Sequence, residues 1–275
     1  MHTRVIRILS FFLLGVVSAA AQDTSGFFGG WFQRVTKTQA EQPHWITPVF
    51  TTTPRLEEEF RYDLGWQETA RGGVSNYGGG KGVELIPTEH TEFIISPPPY
   101  ITHENPLIHD GFGDMSFLMK YRFLARNEEK GNYIVTAFLG GSIPTGSYGN
   151  GAENATVTPT IAVGKGWGHF DFQSTFGAGI PVGDESKIGI PLAWNTAFQY
   201  KILKKFWPEV EVNTIFFHDG PNDGKTQVFL SPGLVIGRLH LWRRLGFTIG
   251  GGIQIAATHF HTFNHNGVLS VRFPF

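Results

Sequence analysis

The sequence predicts an all-β protein, a transmembrane antiparallel up-and-down β-barrel of about twelve strands. Three observations point there. Segments alternating between apolar and polar residues recur from Phe60 to Phe275. The connections between them alternate between short and long. Beyond Ala21, no apolar stretch approaches the roughly 18 residues that a transmembrane helix requires.

The N-terminal residues set the compartment. Arg4 and Arg7 precede the apolar run Phe11–Val17, and Ser18, Ala19, Ala20 and Ala21 come directly after it. This is the pattern of a secretory signal peptide over residues 1–21, with cleavage before Gln22. Residues 22–57 show no clean period: Phe27, Phe28, Trp31 and Phe32 form an aromatic cluster, and Pro43, Pro48 and Pro54 break the stretch between that cluster and the first strand. They are expected to form a periplasmic tail or a plug, and the barrel to span 58–275.

Alternation opens with Phe60, Tyr62, Leu64 and Trp66 against Arg61, Asp63, Gly65 and Gln67. Met115, Phe117, Met119 and Tyr121 oppose Asp114, Ser116, Lys120 and Arg122, with Leu118 the exception. Phe170, Phe172 and Phe176 oppose Asp171, Gln173 and Thr175; Trp194, Phe198 and Tyr200 oppose Asn195, Gln199 and Lys201. Val210 and Val212 oppose Glu209 and Glu211, and Ile249 and Ile253 oppose Gly250 and Gly252. The closing stretch sets Leu269, Val271, Phe273 and Phe275 against Ser270 and Arg272. In a bilayer the apolar face meets lipid and the polar face the lumen. In a soluble β-sandwich the two faces would exchange roles, and alternation alone does not choose.

The connections do bear on that choice. Short turns are expected at 89–90, 126–130, 166–167, 204–205 and 239–240, and longer Gly- or Pro-rich loops at 68–80, 98–111, 143–154, 181–188, 219–225 and 258–265. Short turns on one side and long loops on the other suit an outer-membrane barrel, both of whose termini face the periplasm. Tyr121, Phe123, Trp167, Phe170, Tyr200, Phe206, Trp207, Trp242, Phe273 and Phe275 cluster beside the short turns, as an interfacial aromatic girdle would. Pro87 and Pro232 make the strands at 81–97 and 226–238 the least regular.

Composition narrows the function. With no cysteine in 275 residues, disulfide frameworks, thiol nucleophiles and thiolate metal sites are absent together. Without Arg4 and Arg7, 20 basic residues face 23 acidic ones, a net charge of −3 that leaves no basic footprint for nucleic acid. His259, His261 and His265 fall near one long loop but lack a companion carboxylate or Cys, so a solvated loop is the better reading than a metal site. His109–Asp110 and His218–Asp219 are adjacent on the chain and point to opposite faces, so neither is a ready dyad for a serine such as Ser231. Ser75–Gly82 lacks the first Gly and the final Ser/Thr of a phosphate loop. No catalytic residue, cofactor or metal is therefore assigned.

The candidate functional surface is the lumen, lined by Arg61, Asp63, Asp114, Lys120, Arg122, Asp171, Gln173, Asn195, Lys201, Glu209, Glu211 and Arg272. Mixed charges there either pair across the lumen and close it, or line a narrow wet path. An apolar solute fits a charged lumen poorly, which favours entry through the loops and lateral exit into the bilayer.

Asp110-Gly-Phe-Gly-Asp-Met-Ser-Phe-Leu-Met-Lys-Tyr-Arg-Phe-Leu124, Gly141-Ser-Ile-Pro-Thr-Gly146 and Pro159–Phe172 resemble the family described as "putative MetA-pathway of phenol degradation", over about Arg61 to Phe275. The resemblance implies an outer-membrane channel or transporter for small molecules, with aromatic or other hydrophobic compounds as solutes, and transfers no catalytic residue. The terminal Phe275 similarly resembles the signal read by the outer-membrane assembly machinery, the partner expected beside the lipid bilayer. The long-chain fatty-acid channels are a more distant comparison with a larger plug. The competing reading is a barrel with a closed lumen, acting as an outer-membrane enzyme or a structural or adhesive protein.

Overall fold

A computed structural model of the chain describes residues 27–79 and 81–275; the expected signal peptide lies outside them. One helix, α1 (Trp31–Ala40), precedes an extended stretch and then strands β1 (Glu59–Thr69), β2 (Gly72–Tyr77), β3 (Gly82–Thr88), β4 (Thr91–Ser96), β5 (Tyr100–His103), β6 (Gly111–Phe112), β7 (Met115–Arg126) and β8 (Tyr133–Ile143). Next come β9 (Thr156–Trp167), β10 (Phe170–Ala178), β11 (Ile180–Pro181), β12 (Ile190–Tyr200), β13 (Phe206–His218), β14 (Thr226–Trp242), β15 (Leu245–Ala256) and β16 (His265–Pro274). Each pairs antiparallel with its neighbours, and β1 pairs with β16 along its length, Glu59 opposite Pro274 through Glu68 opposite His265. That pairing closes the sheet and removes both edges. Because β2 with β3, β4 with β5, β6 with β7 and β10 with β11 are each successive parts of one stave, the closed barrel has twelve staves. A two-layer sandwich is thereby excluded.

The period-2 alternation places side chains as a membrane barrel requires. Phe117, Ile161, Trp194 and Leu230 are exposed on the outer wall, while Lys120, Gln173, Glu211 and Arg272 are wholly buried inside. The interior is polar and the exterior apolar, the reverse of a soluble protein. Leu118 keeps the inward parity of Lys120 and packs where a Cβ on Gly140 would stand, so this apolar break in the alternation of β7 remains on the lumen side. Ile161 lies mid-strand on the outer face, opposite Phe176. Ile161→Arg is expected to destabilise the folded barrel by about 2–4 kcal/mol, read from the urea midpoint of its gel-mobility shift in lipid.

Several boundaries differ from those expected. The long loop expected over 68–80 is a two-residue turn at Ala70–Arg71 leading into β2, whose Gly72 takes φ +108, a conformation glycine adopts freely. Glycine here starts a hairpin rather than a loop. The stave begun by β2 breaks after Tyr77, where Gly78 N–H bonds Asp63 C=O, and resumes with β3 at Gly82. The turns expected at 166–167 and 239–240 lie instead at Gly168–His169 and Arg243–Arg244, because β9 runs to Trp167 and β14 to Trp242. Pro87 sits at a register shift between Leu85 and Thr88. Pairing of β14 with β15 skips Ser231 and Pro232, where a ladder N–H is missing. Both prolines are accommodated by irregularity, as their chemistry demands.

Candidate functional site

Residues 42–58 run inside the barrel, and the inward side chains of the wall hold their backbone. An extended segment in a lumen cannot complete a sheet ladder, so each of its N–H and C=O groups needs another partner. On one side are Arg61 and Arg272, directly opposite each other across the β1–β16 seam. Arg61 donates to the carbonyl of Val49 at 2.6 Å, and Arg272 donates to those of Thr47 and Pro48, the latter at 2.9 Å. On the other side is β13: Glu209 accepts from Val49 N–H at 2.9 Å, and Glu211 accepts from Phe50 N–H at 2.8 Å and from Thr51 N–H. Donors grip the carbonyls of 47–49, and acceptors grip the amides of 49–51.

The grip continues around the wall. Gln173 donates to Ile46 C=O at 2.9 Å and accepts from the Thr53 hydroxyl at 2.6 Å. Thr136 donates to Pro54 C=O at 2.6 Å, and Lys120 donates to Arg55 C=O at 3.0 Å. Lys120 also pairs with Glu92 at 2.9 Å, and Glu92 accepts from Glu57 N–H at 2.6 Å. Arg55, itself buried, pairs with Glu57 at 2.6 Å and donates to the carbonyls of Pro43 and Trp45. Against the upward push of burial, Arg55 and then Arg238 hold the Glu57 carboxyl well below the usual carboxylate range. Apolar contacts supplement the polar ones, Trp45, Ile46 and Val49 clustering with the inward Ile134, Trp207 and Val235.

At the rim bearing the short turns, α1 seats Val35 against Leu56 and Ile86. Arg122 donates to the carbonyls of Thr38 and Glu89, and Trp31 donates to Glu58. His44 closes on the β7–β8 turn, its ring and backbone N–H both bonded to Glu128. Burial pushes the Glu128 carboxyl up, but those hydrogen bonds from His44 bring it down to about 2.

Of the residues expected to line the lumen, Arg61, Lys120, Arg122, Asp171, Gln173, Glu209, Glu211 and Arg272 are buried inside the barrel. Asp63 pairs with Arg61 at 2.8 Å, Asn195 accepts from Asn213, and Asp171 accepts from Gln173. Lys201 stands just past the last residue of β12 and lies over the Trp207 ring at the short-turn end. Asp114 departs from the expectation. Its carboxylate accepts from the backbone of Thr145, Gly146 and Ala152, so it organises a long loop rather than the lumen wall.

Arg61, Lys120, Glu209, Glu211 and Arg272 thus bind the backbone of the chain's own 42–58, while Asp63 and Glu92 pair with Arg61 and Lys120. Sequence reasoning missed Arg55, Glu57, Glu84, Glu92 and Gln199. Gln199 stands on the polar face of a well-formed alternation and was legible, whereas Arg55 and Glu57 lie where no period exists. Above the segment, toward the long loops, lies a cavity of about 530 Å³ floored by Val49, Phe50 and Thr52.

No curated protein matches the sequence. Among solved structures, the chain is similar in fold to the COG4313 outer membrane channel from Pseudomonas putida F1, at 12% identity and TM-score 0.53, over 78% of this chain and 92% of that one. Weaker likenesses reach the translocator domain of the autotransporter NalP from Neisseria meningitidis (12% identity, TM-score 0.40, 79% of this chain and 87% of that one) and Salmonella typhi OmpF (8% identity, TM-score 0.36, 79% and 96%). The fold is that of an outer-membrane channel barrel. A family model matches residues 47–273, from the gripped segment to the penultimate residue of β16, and the chain belongs to the family described as "Putative MetA-pathway of phenol degradation".

Proposed function

We propose that the protein is an outer-membrane channel for small molecules, aromatic or other hydrophobic compounds among them, that rests closed by its own residues 42–58. The supporting observation is the double grip on residues 47–51, arginines on their carbonyls and glutamates on their amides. In this reading the short-turn rim faces the periplasm, the long loops face outward, and passage requires the segment to shift within the lumen or the solute to leave sideways. The lumen residues then act as a latch as well as a lining. The closed-lumen structural alternative predicts that nothing passes whether or not the segment can move.

Because the chain has no cysteine, an introduced pair reports unambiguously. A Cβ added at Gly250 would stand 3.5 Å from a Val49 methyl. The Val49→Cys/Gly250→Cys double variant is therefore expected to pass phenyl β-glucoside, an aromatic solute that bilayers retain, into proteoliposomes when reduced and to lose most of that flux when oxidised. Flux indifferent to oxidation would show that passage does not depend on this segment.

A further inference from the structure

The cavity above the segment has an apolar lining in Val49, Phe50, Ile101 and Val268, and three charged residues: Arg61, Asp63 and Lys81. Arg61 and Asp63 satisfy one another at 2.8 Å. Lys81 is different. Its Nζ is shielded from solvent and has no hydrogen-bond partner among the described residues. Glu84, three residues on, is wholly buried with both carboxylate oxygens likewise unpartnered, but it does not line the cavity. An ammonium buried without an acceptor costs free energy, and a carboxylate brought to it forms a charge-assisted hydrogen bond in a poorly hydrated site. Lysine's flexible four-carbon stem suits it to turn toward such a ligand.

We propose that this cavity binds an amphipathic monocarboxylate, its charged group meeting Lys81 and its apolar body lying against Val49, Phe50, Ile101 and Val268. The assignment rests on reading the lumen as a solute path and names the class of solute. The volume, about 530 Å³, is within the range of small-molecule sites. A single-ring acid fits with room for water, and the open side lies toward the long loops. The segment that floors the cavity is the same one gripped by the lumen charges, so an occupant touches the latch directly.

The test is calorimetric titration of the full chain in detergent with benzoate, benzyl alcohol and benzylamine, which share a ring and differ in charge. Benzoate is expected to bind about tenfold or more tightly than benzyl alcohol. Lys81→Gln should abolish that preference and Lys81→Arg preserve it, with each variant's heat-modifiable mobility showing that it has folded. Equal affinity for the three, no benzoate binding, or a preference for benzylamine that tracks Glu84→Gln would each overturn the assignment. Loss of the benzoate preference with flux still governed by the Val49–Gly250 lock sinks the anion site and leaves the gating reading standing. Flux indifferent to the lock does the reverse.

Discussion

Glu211→Ala is expected to raise solute flux through the barrel about a hundredfold. Glu211 accepts two consecutive backbone amides, Phe50 N–H at 2.8 Å and Thr51 N–H. Hydrogen bonds to an ionised group are each worth about 1.5–3 kcal/mol, so the pair contributes roughly 3 kcal/mol at the low end. At about 1.4 kcal/mol per factor of ten, that is two decades in the equilibrium between seated and displaced segment. The low end is appropriate because Phe50 borders the cavity, where water can reach its freed amide. Glu211→Gln keeps one amide oxygen as acceptor and should fall between wild type and alanine. Proteoliposome uptake of phenyl β-glucoside measures all three. Unchanged flux in the alanine variant would mean that the segment does not limit passage.

Arg272→Met should have the largest effect on stability, a loss of about 2–6 kcal/mol. The guanidinium is buried, and it serves the carbonyls of Thr47 and Pro48 together with the Ser270 hydroxyl. Methionine fills a similar volume but leaves the buried Thr47 carbonyl without a donor and the Pro48 carbonyl with only a 3.4 Å bond from Arg61, losses of about 1–3 kcal/mol each. Arg61 compensates only weakly, since its bond to the Pro48 carbonyl is long and its other donors are committed to Val49 and Asp63. The position also matters for closure, because Arg272 lies on β16 at the seam with β1. The temperature at which the folded gel band converts to the unfolded one should drop markedly for Arg272→Met. For Arg272→Lys, which keeps a donor but not the fork, it should drop by less. An unchanged conversion temperature would show that the seam does not depend on the seated segment.

Legibility in the sequence differs between wall and occupant. The wall was legible because a barrel with lipid on one side and a polar interior on the other stamps a period of two on every strand, and Arg61, Glu209, Glu211 and Arg272 could be placed inward from parity alone. What they bind could not, because the partner is main chain, and main-chain groups carry no sequence signature. Residues 42–58 have neither the period of a strand nor that of a helix, so Arg55 and Glu57 offered nothing to distinguish them from a solvated tail. Gly72 and Gly73 misled in another way: glycines that open a hairpin look the same in sequence as glycines in a loop. Asp114 obeys the inward parity, yet its position beside the 145–152 loop gives it a nearer set of amides to hold.

Recognition of the gripped segment through its backbone has an evolutionary corollary. The wall contacts at Thr47, Pro48 and Thr51 go to carbonyl or amide groups that nearly every amino acid possesses, and Pro48, which lacks an N–H, occupies a place where only its carbonyl is used. These bonds therefore constrain side-chain identity weakly at Pro48 and Thr51, less so at Thr47, whose hydroxyl also donates to Glu57, while the arginines and glutamates facing them are strongly constrained. Drift in the occupant and fixity in the wall would let related channels diversify the surface that meets a solute while each keeps the same means of shutting.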